Sequence, residues 1–164
     1  MALDSNDHGE QIEKLTLKEV GQNEEFDQDT SCPTDDNLYR KINGKCYYFV
    51  NQKKNHNNAK NFCKMRIVMG KMGKLAEPQT RAINKQIFEE AKSAFGKVEV
   101  YFIGIEKISG EKWVYSSSKQ LLSTLVWASS QPNDDGHCVF VCYLALEKWC
   151  DGACSDKKFS VCEF

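Results

Sequence analysis

A chain of 164 residues with a formal net charge of −1 is long enough to bury its own hydrophobic core as one domain with an additional tail. The charge is unevenly distributed, because residues 1–31 contain nine acidic residues and two lysines, whereas residues 32–164 contain fourteen acidic and twenty basic residues. The net charge of +6 over residues 32–164 favours anionic partners without identifying one. No apolar run approaches the roughly 20 residues that span a bilayer, so we expect no transmembrane segment, and we expect no nucleic-acid partner.

The N-terminal segment, residues 1–31, is polar and acidic. Ile12, Leu15 and Val20 follow an approximately helical spacing, but Gly21 and the run of charges oppose a stable helix. We therefore expect a flexible, solvated arm. An oligomerising neck is the functional alternative for this segment, and an oligomeric protein is therefore compatible with the sequence.

The next elements follow from turn and cap residues. Asn43-Gly44 is a strong hairpin-turn pair between two strand-like runs. Residues 58–65 carry apolar side chains at the spacing of one helical face. Thr80 is a plausible N-cap for a second helix that runs to about Phe95, and Gly96 ends that helix.

The pattern changes to strands in the second half of the chain. Val98, Val100 and Phe102 alternate with polar residues, and short strands are also predicted over residues 113–115 and 159–164. A long serine-rich loop spans the residues from 116 to 130. Two helices followed by short strands and long loops predict an α+β fold.

The sequence contains eight cysteines, all at position 32 or later. An even number of cysteines indicates disulfide bonds formed in an oxidising compartment, so we expect a secreted, extracellular protein. The first eleven residues lack the basic and apolar regions of a signal peptide, and we expect that targeting segment to be missing from this sequence. Zinc ligation by Cys138, Cys142, Cys150 and Cys154 is the alternative, but thiolate ligands need a reducing compartment.

The spacing of these four cysteines also predicts a hairpin. A hairpin centred on Leu146 brings Cys138 opposite Cys154 and Cys142 opposite Cys150. A polar loop precedes this hairpin, and its second strand carries acidic and aromatic residues. Oxygen-rich side chains therefore converge at this hairpin, and we expect the functional site there.

The sequence of residues 32–164 resembles the C-type lectin-like domain, because it contains several motifs of that family in the same order. These motifs are Gly44 to Phe49, Ala59 and Cys63, Phe102 to Ile105, Trp113 to Tyr115, Gln131 to Asn133, Cys138-Val139, Lys148-Trp149, Cys154, and Val161 to Glu163. The resemblance implies two helices flanking short antiparallel sheets, a long-loop region and stapling by disulfides. The ordered set is far more specific than any single motif.

The resemblance also implies most of the disulfide pairing. It implies Cys63–Cys162 and Cys138–Cys154, and the long form of the family implies the additional bridge Cys32–Cys46. The family pattern does not require the two remaining cysteines, Cys142 and Cys150, and the predicted hairpin pairs them independently.

Sugar-binding members of this family hold Ca²⁺ with a proline-containing tripeptide, an acidic residue that follows it and a Trp-Asn-Asp motif. The proline of the tripeptide is commonly cis. In this sequence Gln131-Pro132-Asn133 occupies the position of the tripeptide. The candidate metal ligands here are Gln131, Asn133, Asp134, Asp135 and Asp151. Cys150 replaces the asparagine of the Trp-Asn-Asp motif, and Lys107 lies where many members have an aspartate. Since calcium affinity depends on the number of carboxylates, we expect a weak or degenerate calcium site.

The resemblance implies a secreted lectin that recognises glycans or pathogen surfaces in innate immunity. It leaves open whether the glycan is of the galactose type or of the mannose type. The candidate carbohydrate-binding residues are Gln131, Asn133, Asp135, Asp151 and Trp127. We expect Trp149 to belong to the core, and we expect neither His56 nor His137 to be a ligand.

The alternative is a calcium-independent module of the same fold that binds a protein or another anionic ligand, such as a sulfated polysaccharide. A cluster of lysines around the first helix would face such a ligand. Its members are Lys53, Lys54, Lys60, Lys64, Lys71 and Lys74. We do not expect an enzyme, because no nucleophile and base occur together in a plausible context.

Overall fold

The computed structural model describes residues 31–109, 111–142 and 146–164. The predicted acidic arm lies outside these residues, apart from Ser31. The helices are α1 (His56–Lys64) and α2 (Arg81–Phe95). The strands are β1 (Tyr39–Ile42), β2 (Lys45–Lys54), β3 (Ile67–Val68), β4 (Lys71–Met72), β5 (Lys74–Leu75), β6 (Tyr101–Ile108), β7 (Lys112–Tyr115), β8 (Cys138–Val141), β9 (Trp149–Gly152) and β10 (Lys158–Glu163). This architecture confirms the predicted α+β class.

The main sheet contains eight of these strands. Its order is β1-β2-β10-β6-β8-β9, with β5 pairing to β10 and β7 pairing to β6. The β10–β6 pair is parallel, and the other pairs are antiparallel. Strands β3 and β4 form a separate small hairpin. None of the described helices is both long and apolar enough to cross a lipid bilayer.

The helix ends agree with the capping residues in the sequence. The Asn55 side chain accepts the Asn58 N–H at 2.8 Å and starts α1 at His56, two residues earlier than predicted. The Thr80 hydroxyl accepts the Ile83 N–H at 3.2 Å at the start of α2. Gly96, with a φ of 71°, ends α2 in the left-handed conformation that glycine adopts without strain. The predicted extent of α2 is confirmed.

The predicted hairpin turn at Asn43-Gly44 is also confirmed. Both residues have positive φ, 47° and 78°, which is the backbone twist that matches two antiparallel strands. Tyr39 pairs with Tyr48 across this hairpin. The turn therefore fixes the register between β1 and β2.

The predicted strand start at Val98 is wrong. Strand β6 begins at Tyr101, which lies opposite both Phe159 of β10 and Val141 of β8. Val98 precedes this paired region and is 39% exposed. Alternation of apolar residues extended beyond the point where partner strands are present, and pairing set the boundary.

The predicted register of the double-cysteine hairpin is also wrong. Cys138 lies opposite Gly152, and Cys150 lies opposite Phe140, so the ladder is displaced from the one that would face the cysteines directly. The pairs still bond, as diagonal neighbours, with Cα–Cα distances of 5.2 Å for Cys138–Cys154 and 5.7 Å for Cys142–Cys150. Both distances lie within the usual range for disulfides.

Four disulfides tie the fold together, and they join the eight cysteines in the expected pairs. The bonds are Cys32–Cys46, Cys63–Cys162, Cys138–Cys154 and Cys142–Cys150. Two buried clusters form the core. One packs α2 against the sheet around Trp149 and Phe49, and the other packs α1 around the Cys63–Cys162 bridge.

Candidate functional site

The polar loop begins with a cis peptide bond between Gln131 and Pro132, as the resemblance implied. The loop leads into β8 at Cys138, and it packs against β9. Contact with β9 is close at Gly136, because a Cβ at this position would lie 2.0 Å from the carbonyl group of Gly152. Gly136 is therefore the residue that lets the loop approach the strand.

Asp151 of β9 holds this loop in place. Its carboxylate accepts the Asn133 N–H at 2.9 Å through Oδ1 and the Gly136 N–H at 3.3 Å through Oδ2. Its own backbone N–H donates to Gln131 Oε1 at 3.3 Å. Asp151 is only 3% exposed, and hydrogen bonds to a charged acceptor are stronger than neutral ones. The side chain is a latch that joins both ends of the loop to the sheet.

The exposed part of the loop carries the remaining candidate residues. Asn133 Nδ2 donates to Asp135 Oδ2 at 2.6 Å. Asp134 Oδ1 lies 2.8 Å from the Lys107 ammonium, which also contacts Glu111. Hydrogen bonds to these two carboxylates raise the pKa of Lys107. Asp134 is therefore paired with a cation that the protein itself provides.

In this arrangement several oxygens of the candidate calcium ligands already have partners within the protein. Ca²⁺ takes six to eight oxygen ligands, whereas the Asp151 carboxylate is used by backbone N–H groups and Gln131 Oε1 accepts the Asp151 N–H. Asp134 faces an ammonium group. Within residues 31–109, 111–142 and 146–164, no three His, Cys, Asp or Glu side chains are grouped as metal ligands would be.

Cys150 contributes to this result directly. It is bonded to Cys142, so the position before Asp151 supplies a sulfur bridge instead of an amide oxygen. The bridge lies in the same hairpin as the latch and fixes β9 beneath the loop. A disulfide therefore occupies the position at which the family pattern has a calcium-ligating asparagine.

The tryptophans near the loop belong largely to the core. Trp149 is fully buried, and its Nε1–H donates to Asn84 Oδ1 at 2.8 Å, as expected for a core indole. Trp127 is half-buried and packs edge-on against Trp149 and Trp113, with ring centroids 5.9 Å and 5.0 Å apart. Trp127 therefore packs against two core indoles while remaining partly exposed, and its contact with a sugar stays a prediction.

The two histidines for which no ligand role was expected lie apart. His137 is exposed next to the loop, whereas His56 is buried at the start of α1 and packs edge-on against Phe102. Burial lowers the pKa of His56, so this imidazole is neutral at pH 7. Neither residue joins the candidate ligands.

Sequence reasoning did not find Asn84, Gly136 or the buried acids of a second polar cluster. Asn84 was detectable in principle as a polar residue on the buried face of α2, where its amide also donates to the Glu147 carbonyl oxygen at 2.6 Å. In the second cluster, Glu163 accepts the Glu77 N–H at 3.0 Å and lies 3.3 Å from the Lys74 ammonium. Glu163 is distant in sequence from Glu77 and Lys74, so no local sequence pattern predicted these contacts.

The family model of the lectin C-type domain matches residues 52–164. The match covers both helices, the polar loop, the latch and most of the sheet. The chain therefore belongs to the C-type lectin family.

Individual relatives agree with this assignment. Collectin-10 of Xenopus tropicalis is 35% identical over 127 residues, which cover 76% of this chain but only 44% of that protein. The chain thus spans less than half the length of this relative. The crystal structure of human lithostathine is 25% identical and superimposes with a TM-score of 0.71, covering 82% of this chain and 90% of that one.

A third comparison concerns the fold alone. The cow CD23 lectin domain is 22% identical, with a TM-score of 0.66, and the match covers 82% of this chain and 95% of that one. Its structure was determined in the presence of a GlcNAc2Man3 oligosaccharide. The expected α+β lectin architecture is confirmed by these likenesses.

Proposed function

We propose that this domain is a glycan-binding lectin whose binding loop, residues 131–136, is held in shape by Asp151 and needs no Ca²⁺. The observation that carries the proposal is the latch. One buried carboxylate accepts backbone N–H groups from Asn133 and Gly136. A loop that is ordered in this way pays little conformational entropy when a ligand binds.

Carbohydrate is the ligand class that family membership supports. The loop presents an amide and two carboxylates at its exposed positions, Asn133, Asp134 and Asp135. Such groups can donate to and accept from neighbouring sugar hydroxyls, and the Asn133–Asp135 pair is already oriented by its own hydrogen bond. Asp135 and Asn133 are therefore the central contacts in this proposal.

An extracellular setting belongs to the same proposal. Four disulfides with no free cysteine among the described residues are typical of proteins that fold in an oxidising compartment. Similarity to a collectin supports a role in recognising foreign or altered glycan surfaces. Binding, and not catalysis, is the activity proposed.

The experiment is glycan-array binding of the full chain in 2 mM CaCl₂ and in excess EDTA. The same glycans should bind in both buffers, with affinities within about twofold. The double variant Asn133→Ala/Asp135→Ala should lose at least tenfold in affinity. Asp156→Ala is the matched control, because Asp156 is exposed and its ion-pair partner among the described residues is Lys158.

Two results would contradict the proposal in different ways. Binding to no glycan in either buffer would remove glycan recognition as the function. Binding that appears in CaCl₂ and disappears in EDTA would preserve the lectin function but refute the calcium-independent loop.

A further inference from the structure

An exposed apolar cluster lies where α1 ends and the β3–β4 hairpin follows. Met65, Ile67 and Met72 are 78%, 71% and 59% exposed. Ile67 and Met72 are direct partners across the β3–β4 ladder, so their side chains lie side by side. Large apolar side chains that are exposed together usually mark a contact surface.

Two lysines flank this cluster. Lys64 and Lys71 are exposed, and neither has an ion-pair partner among the described residues. Neighbouring lysines differ, since Lys60 lies 3.3 Å from Glu106 and Lys74 lies 2.5 Å from Glu77. Two lysines without an ion pair among the described residues therefore lie beside the apolar cluster. We call the surface of Lys64, Met65, Ile67, Lys71 and Met72 the basic-apolar face.

The described chain begins in a buried cluster that also contains part of the β3–β4 hairpin. Cys32 is bonded to Cys46 and belongs to the same buried cluster as Val68, which is the second residue of β3. Arg66 Nη1, just before β3, donates to the Tyr39 hydroxyl at 3.2 Å. Ten residues of extended chain span about 33 Å, so the segment that precedes Cys32 can reach the basic-apolar face.

The chemistry of that segment complements the face. Residues 1–31 carry nine acidic residues against two lysines, together with the apolar residues Ile12, Leu15 and Val20. A tethered segment also has an effective concentration in the millimolar range, which exceeds that of most free anions. Opposite charge, apolar content and attachment point all favour the same occupant.

We propose that residues 10–25 of this chain dock on the basic-apolar face. Ile12, Leu15 and Val20 cover the two methionines and the isoleucine, while glutamates of the segment pair with Lys64 and Lys71. The segment is then an intramolecular cover of this face. A free anionic glycan, an anionic membrane or a second copy of the chain would occupy the face only in its place.

Zero-length carbodiimide cross-linking of the full chain at micromolar concentration and low salt tests this proposal, with peptides identified by mass spectrometry. The expected result is a set of amide cross-links from Lys64 and Lys71 to carboxylates of residues 10–25. The Lys60–Glu106 pair, at 3.3 Å, supplies an internal positive control. In 0.5 M NaCl the new cross-links should decrease at least fivefold.

A charge-reversal variant provides the matched comparison. Lys64→Glu/Lys71→Glu removes the two amines that form the cross-links and reverses the charge of the face, so docking in this variant is followed by oxidation: peroxide should oxidise Met65 and Met72 at least threefold faster than in the unmodified chain. Lys85→Glu/Lys112→Glu, which changes two exposed lysines elsewhere, should alter neither the cross-links nor the oxidation. Retention of the Lys60–Glu106 cross-link shows that the variant is folded.

Three outcomes would overturn the proposal. The first is the absence of cross-links to residues 10–25 while the Lys60–Glu106 link forms. The second is cross-linking only between differently isotope-labelled copies, which would assign the face to a dimer. The third is equal oxidation of Met65 and Met72 in both forms.

Discussion

Two buried carboxylates, Asp151 and Glu163, hold loops to the sheet in different ways. Asp151 accepts two backbone N–H groups from the polar loop, and no ammonium group contacts it among the described residues. Glu163 accepts one backbone N–H from Glu77 and lies 3.3 Å from both the Lys45 and the Lys74 ammonium groups. The first carboxylate is anchored by peptide dipoles and the second by opposite charges.

The difference separates the proposed binding surface from a structural cluster. Around Glu163 the negative charge is neutralised, and Glu77 is likewise satisfied by Lys74 and by the Ser117 N–H at 2.7 Å. Around Asp151 the hydrogen bonds leave exposed acidic and amide groups on the loop itself. Burial and the nearby Glu163 charge raise the pKa of Tyr47.

The largest effect should come from Glu163→Gln. The substituted amide cannot accept a hydrogen bond through its NH₂ group, and it removes the charge that two lysines face. We expect a loss of about 3 kcal/mol in the free energy of unfolding, since breaking a buried charge pair is costly. Urea denaturation with the disulfides intact measures this loss.

The matched control for this substitution is Glu89→Gln. Glu89 is exposed and pairs with Lys92 on α2, so its loss should cost no more than about 0.5 kcal/mol. Equal free energies of unfolding for Glu163→Gln and Glu89→Gln would show that the buried Glu163 charge stabilises the fold no more than an exposed ion pair does. Glycan binding should be unchanged in both variants.

A smaller loss of stability and a larger loss of loop order should follow from Asp151→Asn. An amide NH₂ group would face a backbone N–H, so one of the two latch bonds is lost. We expect about 2 kcal/mol of destabilisation, with glycan affinity reduced at least tenfold because the loop is no longer held.

Asp156→Asn is the control for the latch, because Asp156 is exposed and pairs with Lys158, outside the polar loop. In calorimetry and in glycan titration, the melting temperature and the glycan affinity of this control should be close to those of the unmodified protein. A folded Asp151→Asn variant with unchanged glycan affinity would show that the latch does not shape the binding surface.

Local features of the chain were predictable where the physical cause was local. The extent of α2 followed from Thr80 and Gly96, and the β1–β2 turn followed from Asn43-Gly44. Pairing of the cysteines followed from family resemblance and hairpin spacing. In each case a few neighbouring residues, or a known order of motifs, determined the outcome.

Features that depend on partners distant in sequence were not predictable. The register between β8 and β9 did not follow from the cysteine spacing, because diagonal cysteine pairs lie within disulfide distance as well as facing ones. The latch required knowing that the backbone of Asn133 and Gly136 approaches Asp151. The sequence made Asp151 a candidate metal ligand, because an aspartate can either bind a metal ion or accept hydrogen bonds from backbone N–H groups.

The claim that the loop is assembled without calcium is tested most directly by amide hydrogen exchange of Asn133 and Gly136 in EDTA. Both amides donate to Asp151, so both should exchange at least tenfold more slowly than in the Asp151→Asn variant. Addition of CaCl₂ should change their rates by less than twofold. Fast exchange in EDTA that becomes slow when CaCl₂ is added would contradict the account, because the cation and not Asp151 alone would then order the loop.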